Sequence, residues 1–272
     1  MGFADLHVHT VFSDGTYTPE ELVQRARKAG LCALSVVDHD SIDGIEPALA
    51  AARSVSVEVI PGIELTTELD NTEIHLLGYL FDYKDPAFLG RLAQLREIRV
   101  DRVYKIVKKL KLMGVDLKPQ AVFDICGTGT PGRLHIARAM LKEGLVSSVG
   151  EAFQKYIGDR SPAYVLGFRF STFDAIDLIK NVGGIPVLAH PYLLGNTGLI
   201  PQLIDHGLMG LEVYYTEHSQ SHINYFLDIA RRHDLIVTGG SDFHGSAKPD
   251  VHLGVIKIPY ELVEILKNAK HG

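Results

Sequence analysis

Short apolar runs along this chain repeatedly end on histidine or a carboxylate, and that recurrence restricts the fold more than any other feature. His7 and His9 lie two apart in a run over residues 4–9, so on a strand both side chains project to one face, as two ligands of one ion require. Asp14 follows in the turn Ser13-Asp14-Gly15. Asp38-His39-Asp40 ends a second run at 31–37, Glu64 lies in a third at 57–67, and His75 lies in a fourth at 73–81. His190-Pro191 ends the fifth at 185–189, Gly210 opens another at 210–215, and Asp242-Phe243-His244 follows the last at 235–239. Taken singly these are weak signals: His75 within HLLGYL reads as a core histidine, and HxH alone seldom marks a metal. Together they are strong. Imidazoles and carboxylates at the inner ends of strands are costly to bury without charged partners, and divalent cations are such partners.

Between these runs the chain carries helical signals. Thr18-Pro19-Glu20-Glu21 combines an N-cap, a proline at the first helical position and a capping-box glutamate, and Gly30 ends that helix. A short helix is expected near 45–53, and strand then helix repeats through the first 81 residues. The rhythm then breaks. A long charge-rich helix over 86–113, a second opened by Thr130-Pro131 and closed by Gly144, and a third capped at Ser148 follow without a convincing strand. Alternation resumes with helices at 171–182, 198–206 and 219–232. The expected fold is therefore α/β: a barrel-like body over residues 1–81 and 168–272, interrupted by a helical insert over 82–167 that can cover the site. In such barrels chemistry sits at the carboxyl ends of the strands, where these ligands fall.

The remaining composition is that of a soluble enzyme. The 272 residues are 46% hydrophobic and 22% charged, and the formal charge of −6 gives no overall basic surface for nonspecific duplex binding. Two cysteines, Cys32 and Cys126, provide neither a disulfide framework nor a CxxC zinc pattern. No secretory leader or membrane-spanning run is read, so the cytoplasm is the expected compartment. A donor set of imidazole and carboxylate without thiolate suits manganese, iron or zinc.

DLHVHTVFSDG, VVDHDSIDG, Glu64, His75, LAHP and GGSDFHG, in this order, resemble the motif pattern of the PHP (polymerase and histidinol phosphatase) superfamily. The resemblance implies a distorted (β/α)7 TIM-like barrel holding two to three divalent ions. It implies one ion bound by His7, His9, Glu64 and Asp242, a second by Glu64, His75 and His190, and a third by Asp14, His39 and His244. Pro131-Gly132-Arg133-Leu134-His135 in the insert, Ala163-Tyr164-Val165, and Glu212-Val213-Tyr214-Tyr215 with His218 resemble the subgroup of 3',5'-nucleoside bisphosphate phosphatases and short-RNA 5'-exonucleases. That subgroup often has proline where this chain has Leu134.

The expected activity is metal-dependent hydrolysis of a phosphate ester, as a phosphatase or phosphodiesterase acting on a nucleotide or short oligonucleotide. Glu64, Asp242 and His190 carry the catalytic metals, and hydroxide held by the Glu64-bridged pair is the expected nucleophile. Arg133 is the leading candidate for a substrate phosphate, because a guanidinium binds it through two parallel hydrogen bonds. His135, Arg160 and His218 are weaker candidates for substrate contact. A histidinol-phosphate-type phosphatase and an amidohydrolase-type enzyme are the alternatives; the latter often uses a bridging lysine, and the site motifs contain none.

Overall fold

The computed structural model describes residues 2–166 and 170–270, so the expected second boundary of the insert, at 167 and 168, lies outside the described residues. The first half runs β1 (Phe3–Val8), α1 (Pro19–Lys28), β2 (Ala33–Val36), α2 (Ile45–Ala52), β3 (Glu58–Leu69) and β4 (Thr72–Tyr79). Helices α3 (Pro86–Leu112), α4 (Pro119–Cys126), α5 (Arg133–Lys142) and α6 (Val149–Ala152) follow, with a π-helical turn at Phe153–Ile157. The chain continues through α7 (Thr172–Asn181), β5 (Ile185–Leu188), α8 (Ile200–Asp205), β6 (Gly210–Tyr215), α9 (Gln220–Arg232), β7 (Ile236–Gly240), β8 (Ile258–Pro259) and α10 (Tyr260–Ala269). The stretch at 114–130 thus holds a helix, α4, that periodicity did not suggest.

The strands form one sheet in the order β7-β6-β5-β4-β3-β2-β1-β8. Past the end of β7 the chain returns to β1: Asp242 N donates to His7 O and His9 N donates to Phe243 O, each at 2.9 Å. The sheet therefore curls into a nearly closed barrel. Its wall is packed by Leu6, Leu77 and Val187, and Tyr79 Oη donates to Leu6 O at 2.9 Å. A separate cluster that includes Val103, Ile106, Leu110, Ile136 and Met140 joins the helices between β4 and α7. Each such side chain, fully buried, contributes about 1.5–3 kcal/mol. Among the described residues no helix is long and apolar enough to cross a membrane.

The strand-then-helix rhythm fails at β3. Here β3 and β4 form an antiparallel hairpin, and β4 is antiparallel to β5 as well. The two linking residues, Asp70 and Asn71, both have left-handed backbones, with φ of 49° and 59°. That geometry matches the twist of a two-residue hairpin turn, and Asx side chains tolerate it without glycine. Because β4 runs backwards, its beginning rather than its end lies at the mouth of the barrel. His75 pairs with Thr66, and Glu73 with Glu68, near the exit of β3.

The turn supplies a stability test. Asn71→Val should cost roughly 1–2 kcal/mol, because a branched side chain is penalised in the left-handed region, whereas Asn71→Gly should cost little. Denaturant midpoints measure both; indistinguishable variants would contradict the hairpin assignment.

Candidate metal centre

The exits of β1, β2, β3, β5 and β7 and the entrance of β4 converge on one carboxylate. Glu64, 1% exposed, turns Oε2 toward His7 Nε2 at 3.3 Å, His9 Nε2 at 3.2 Å and His39 Nδ1 at 3.3 Å. Its Oε1 faces His75 Nδ1 at 2.9 Å and His190 Nε2 at 3.0 Å. Asp242 Oδ1 lies 3.5 Å from His7 Nε2 and 3.2 Å from His9 Nε2. Asp14 places Oδ1 3.1 Å from His244 Nε2 and Oδ2 4.0 Å from His39 Nε2. All nine sequence-selected ligands are therefore brought together.

Three overlapping groups have donor atoms within 4.8 Å of one another: His7, His9, Glu64 and Asp242; His9, Asp14, His39 and His244; and His39, Glu64 and His75. His39 belongs to two of them, one nitrogen facing Glu64 and the other Asp14. His9 Nε2, Asp14 Oδ1 and His39 Nδ1 are buried without a hydrogen-bond partner, although carboxylates or imidazoles lie within ion-pair distance. Unsatisfied buried atoms cost about 1–3 kcal/mol each. Divalent cations among these donors can meet such atoms, so the donor set fits the metal that its chemistry implies. Backbone strain marks the same place: Asp40, His190 and Asp242 have positive φ of 48°, 28° and 56°.

The ligands are oriented from behind. Glu212 Oε1 lies 2.8 Å from His7 Nδ1, and its Oε2 accepts from His190 N at 2.8 Å, which fixes two members of the cluster with one buried acid. Asp5 accepts from Ser241 N, Ser241 Oγ and Gly254 N, tying the start of β1 to the chain leaving β7. Asp38 accepts from Thr10 N, Thr10 Oγ1 and Ser13 Oγ. Sequence reading missed Asp5, although it continues the His7, His9 alternation one step back. No local signal distinguished the role of Glu212 or of Glu73.

Burial disfavours the charge on Glu64, yet His39, His7 and His75 hold its carboxyl well below the usual range. Asp242 is lowered in the same way by Lys248 and His244, and Asp14 by His244 and His39, in both cases against burial. Burial pulls His9 and His75 down, but the facing carboxylates push both up to about 9.

A cavity of about 450 Å³ opens above this cluster. Arg99, Arg102 and Arg133 line it from the helical segment, with Tyr215 and Lys248 opposite. Arg133 Nη2 donates to Glu73 Oε1 at 3.0 Å and Nη1 to Asp159 Oδ1 at 2.5 Å. Burial opposes ionisation of Glu73, but Arg133 and Arg102 hold it well below the usual range. The other three expected substrate residues do not line this cavity. His135 is buried behind Gly132, whose N donates to its Nδ1 at 3.1 Å, and burial lowers its pKa to about 4, so it is neutral. Arg160 is exposed. His218 lies behind Tyr215 with its Nδ1 2.8 Å from Val213 O. Lys248, outside every motif, does enter, donating to Asp242 Oδ2 at 2.7 Å.

Imidazole and carboxylate donors at the mouth of a barrel, beneath guanidinium groups, define a metal-dependent hydrolase of anionic substrates. The family pattern described as PHP domain matches residues 5–126. The chain is 34% identical to a 5'-3' exoribonuclease of Haemophilus influenzae over 88% of its length and 89% of that protein's. It is 32% identical to a 3',5'-nucleoside bisphosphate phosphatase of Chromobacterium violaceum, covering 90% of this chain and 88% of the relative. The fold matches a solved structure from Bifidobacterium adolescentis, assigned as a metal-dependent phosphoesterase. The TM-score is 0.89 and the identity 32%, across 97% of this chain and 94% of the other. The chain belongs to the PHP-domain family of metal-dependent phosphoesterases.

His9 and His75, protonated at neutral pH while no cation is bound, must give up their protons to become ligands. Apparent metal affinity should therefore rise with pH up to about 9. Calorimetric titration of the stripped protein at pH 7.5, in buffers of different ionisation enthalpy, should show net proton release; none would contradict the ligand assignment.

Proposed function

We propose that this phosphoesterase acts on nucleoside 3',5'-bisphosphates or on the 5' ends of short RNAs, with the helical segment over 82–167 as the lid that selects them. The observation that carries the reading is a second wall of guanidinium groups, each held by acids: Arg99 by Asp40, Arg102 by Glu73, and Arg133 by Glu73 and Asp159. The ligand cluster forms one face of the cavity, while Arg133, with Arg99 and Arg102, lines another. Two anionic groups of one substrate can be engaged together. The named activities of the exoribonuclease and bisphosphate phosphatase relatives support the same substrate class.

In this reading two or three ions, of manganese, iron or zinc, are held as the motifs imply. His7, His9, Glu64 and Asp242 would hold one, Glu64, His75 and His190 a second, and Asp14, His39 and His244 a third. The chemistry supplied there would be Lewis acidity, for activating water and neutralising phosphate oxygens. The protein's own groups position the ester. Arg133 has five N–H donors, and those not engaged by Glu73, Asp159 and Ile157 O remain for a phosphate. Tyr215 Oη donates to Asp242 Oδ2 at 3.2 Å and with Lys248 fixes that carboxylate against the opposite wall. Hydrolysis of C–N bonds has less support, since the site motifs hold no lysine to take a bridging role and Lys248 is engaged with Asp242.

With metal in excess, a nucleoside 3',5'-bisphosphate should show higher kcat/KM than the 5'-mononucleotide. Arg133→Ala should cost about 1.5–3 kcal/mol in kcat/KM on the bisphosphate and much less on a small aryl phosphate. Equal losses on the two substrates would overturn the assignment of Arg133, and absence of any preference in the parent would overturn the substrate class.

A further inference from the structure

Glu73 stands two residues before His75 on β4, so both side chains share a face. Its Oε1 lies 3.3 Å from His75 Nε2 and accepts from Arg133 Nη2 at 3.0 Å. Its Oε2 accepts from Arg102 Nη2 at 2.6 Å and from Tyr164 Oη at 3.4 Å. His75 turns its other nitrogen, Nδ1, to Glu64 at 2.9 Å. One carboxylate, with 7% of its side chain exposed, therefore touches an imidazole of the metal centre on one side and three side chains of the lid segment on the other. Glu212 supports His7 in a comparable way, but its partners belong to the barrel. Those of Glu73 do not.

We infer that Glu73 is a positioning residue that couples seating of the lid segment to the orientation of His75, so that metal retention and lid closure are linked. An imidazole that offers its Nδ1 lone pair to a cation carries its proton on Nε2, and a carboxylate at Nε2 fixes both tautomer and ring plane. Glu73 can hold that position only while Arg133 and Arg102 neutralise and orient it. Linkage then works in both directions: a cation that fixes His75 fixes Glu73, and Glu73 anchors the two arginines. Arg99 forms a second tie, with Nε on Asp40 Oδ2 at 2.5 Å and Nη1 on Pro131 O at 3.2 Å, and it does not pass through His75.

The inference rests on the metal centre proposed above, whose existence elemental analysis of the purified parent tests first: a parent that retains no metal removes that centre itself, whatever Glu73 does. Protein loaded with manganese is then diluted into excess chelator and metal release is timed without substrate. Glu73→Gln, nearly identical in shape, should release metal about tenfold faster or more. Arg133→Ala, which removes a side chain that touches no ligand, should also release it several-fold faster. The double variant should be no faster than Glu73→Gln alone, because both act through one contact. Stripping the metal should speed protease cleavage within 82–167 in the parent but not in Glu73→Gln. Circular dichroism of each variant checks folding, and if Glu73→Gln does not fold, Arg133→Ala and protease cleavage of the stripped parent decide. Release from Arg133→Ala at the parent's rate, effects that multiply in the double variant, or cleavage unaffected by metal in the parent would overturn the coupling.

Discussion

Five imidazoles face the two oxygens of Glu64, and the rest of the structure is arranged around that crowding. A buried carboxylate surrounded by nitrogen donors is stable only if charge is distributed among them, through protons or through cations. Protons can serve some of the contacts, but three buried atoms of the cluster still lack a hydrogen-bond partner. Cations satisfy these as well. The barrel brings six separated strand ends within reach of one side chain, and its outer acids, Glu212, Asp5 and Asp38, are spent on holding those ends in place.

The reversal of β4 is what makes the arrangement asymmetric. A parallel fourth strand would place His75 and Glu73 near its beginning, at the far end of the barrel. Running backwards, it delivers both to the mouth, with His75 against Glu64 and Glu73 beyond it toward the helical segment. The same segment has its own apolar core, roots the start of α3 in the barrel's core through Phe88, Leu92 and Leu95, and at the cavity meets the barrel through polar ties: Arg99 to Asp40 and Thr66, Arg102 and Arg133 to Glu73. Polar contacts at a cavity wall can exchange with a substrate anion more readily than an apolar seam, which suits the lid role proposed for this segment.

Much of the candidate site's side-chain cluster was legible in the sequence because strand alternation is a local rule. His7 and His9 declare a shared face by spacing alone, and the remaining ligands stand at or beside the ends of apolar runs. The direction of β4 was not legible, since its turn uses Asp70 and Asn71 rather than the glycine that usually announces such a hairpin. Nor were the supports: Glu212 and Glu73 take their meaning from partners 205 and 60 residues away. Arg133 was singled out from its motif, but its pairing with Glu73 and Asp159 is tertiary. His135 shows the opposite case, a residue of the right type whose burial behind Gly132 leaves it neutral and outside the cavity.

If cations are held as proposed, Glu64 is shared between them at the mouth of the barrel. Crystals of the zinc-loaded protein, with diffraction recorded on both sides of the zinc absorption edge, test it most directly. Anomalous density for more than one ion is expected, with zinc about 2.0–2.2 Å from each of the two Glu64 oxygens. Zinc-replete crystals in which Glu64 contacts imidazoles alone would contradict it.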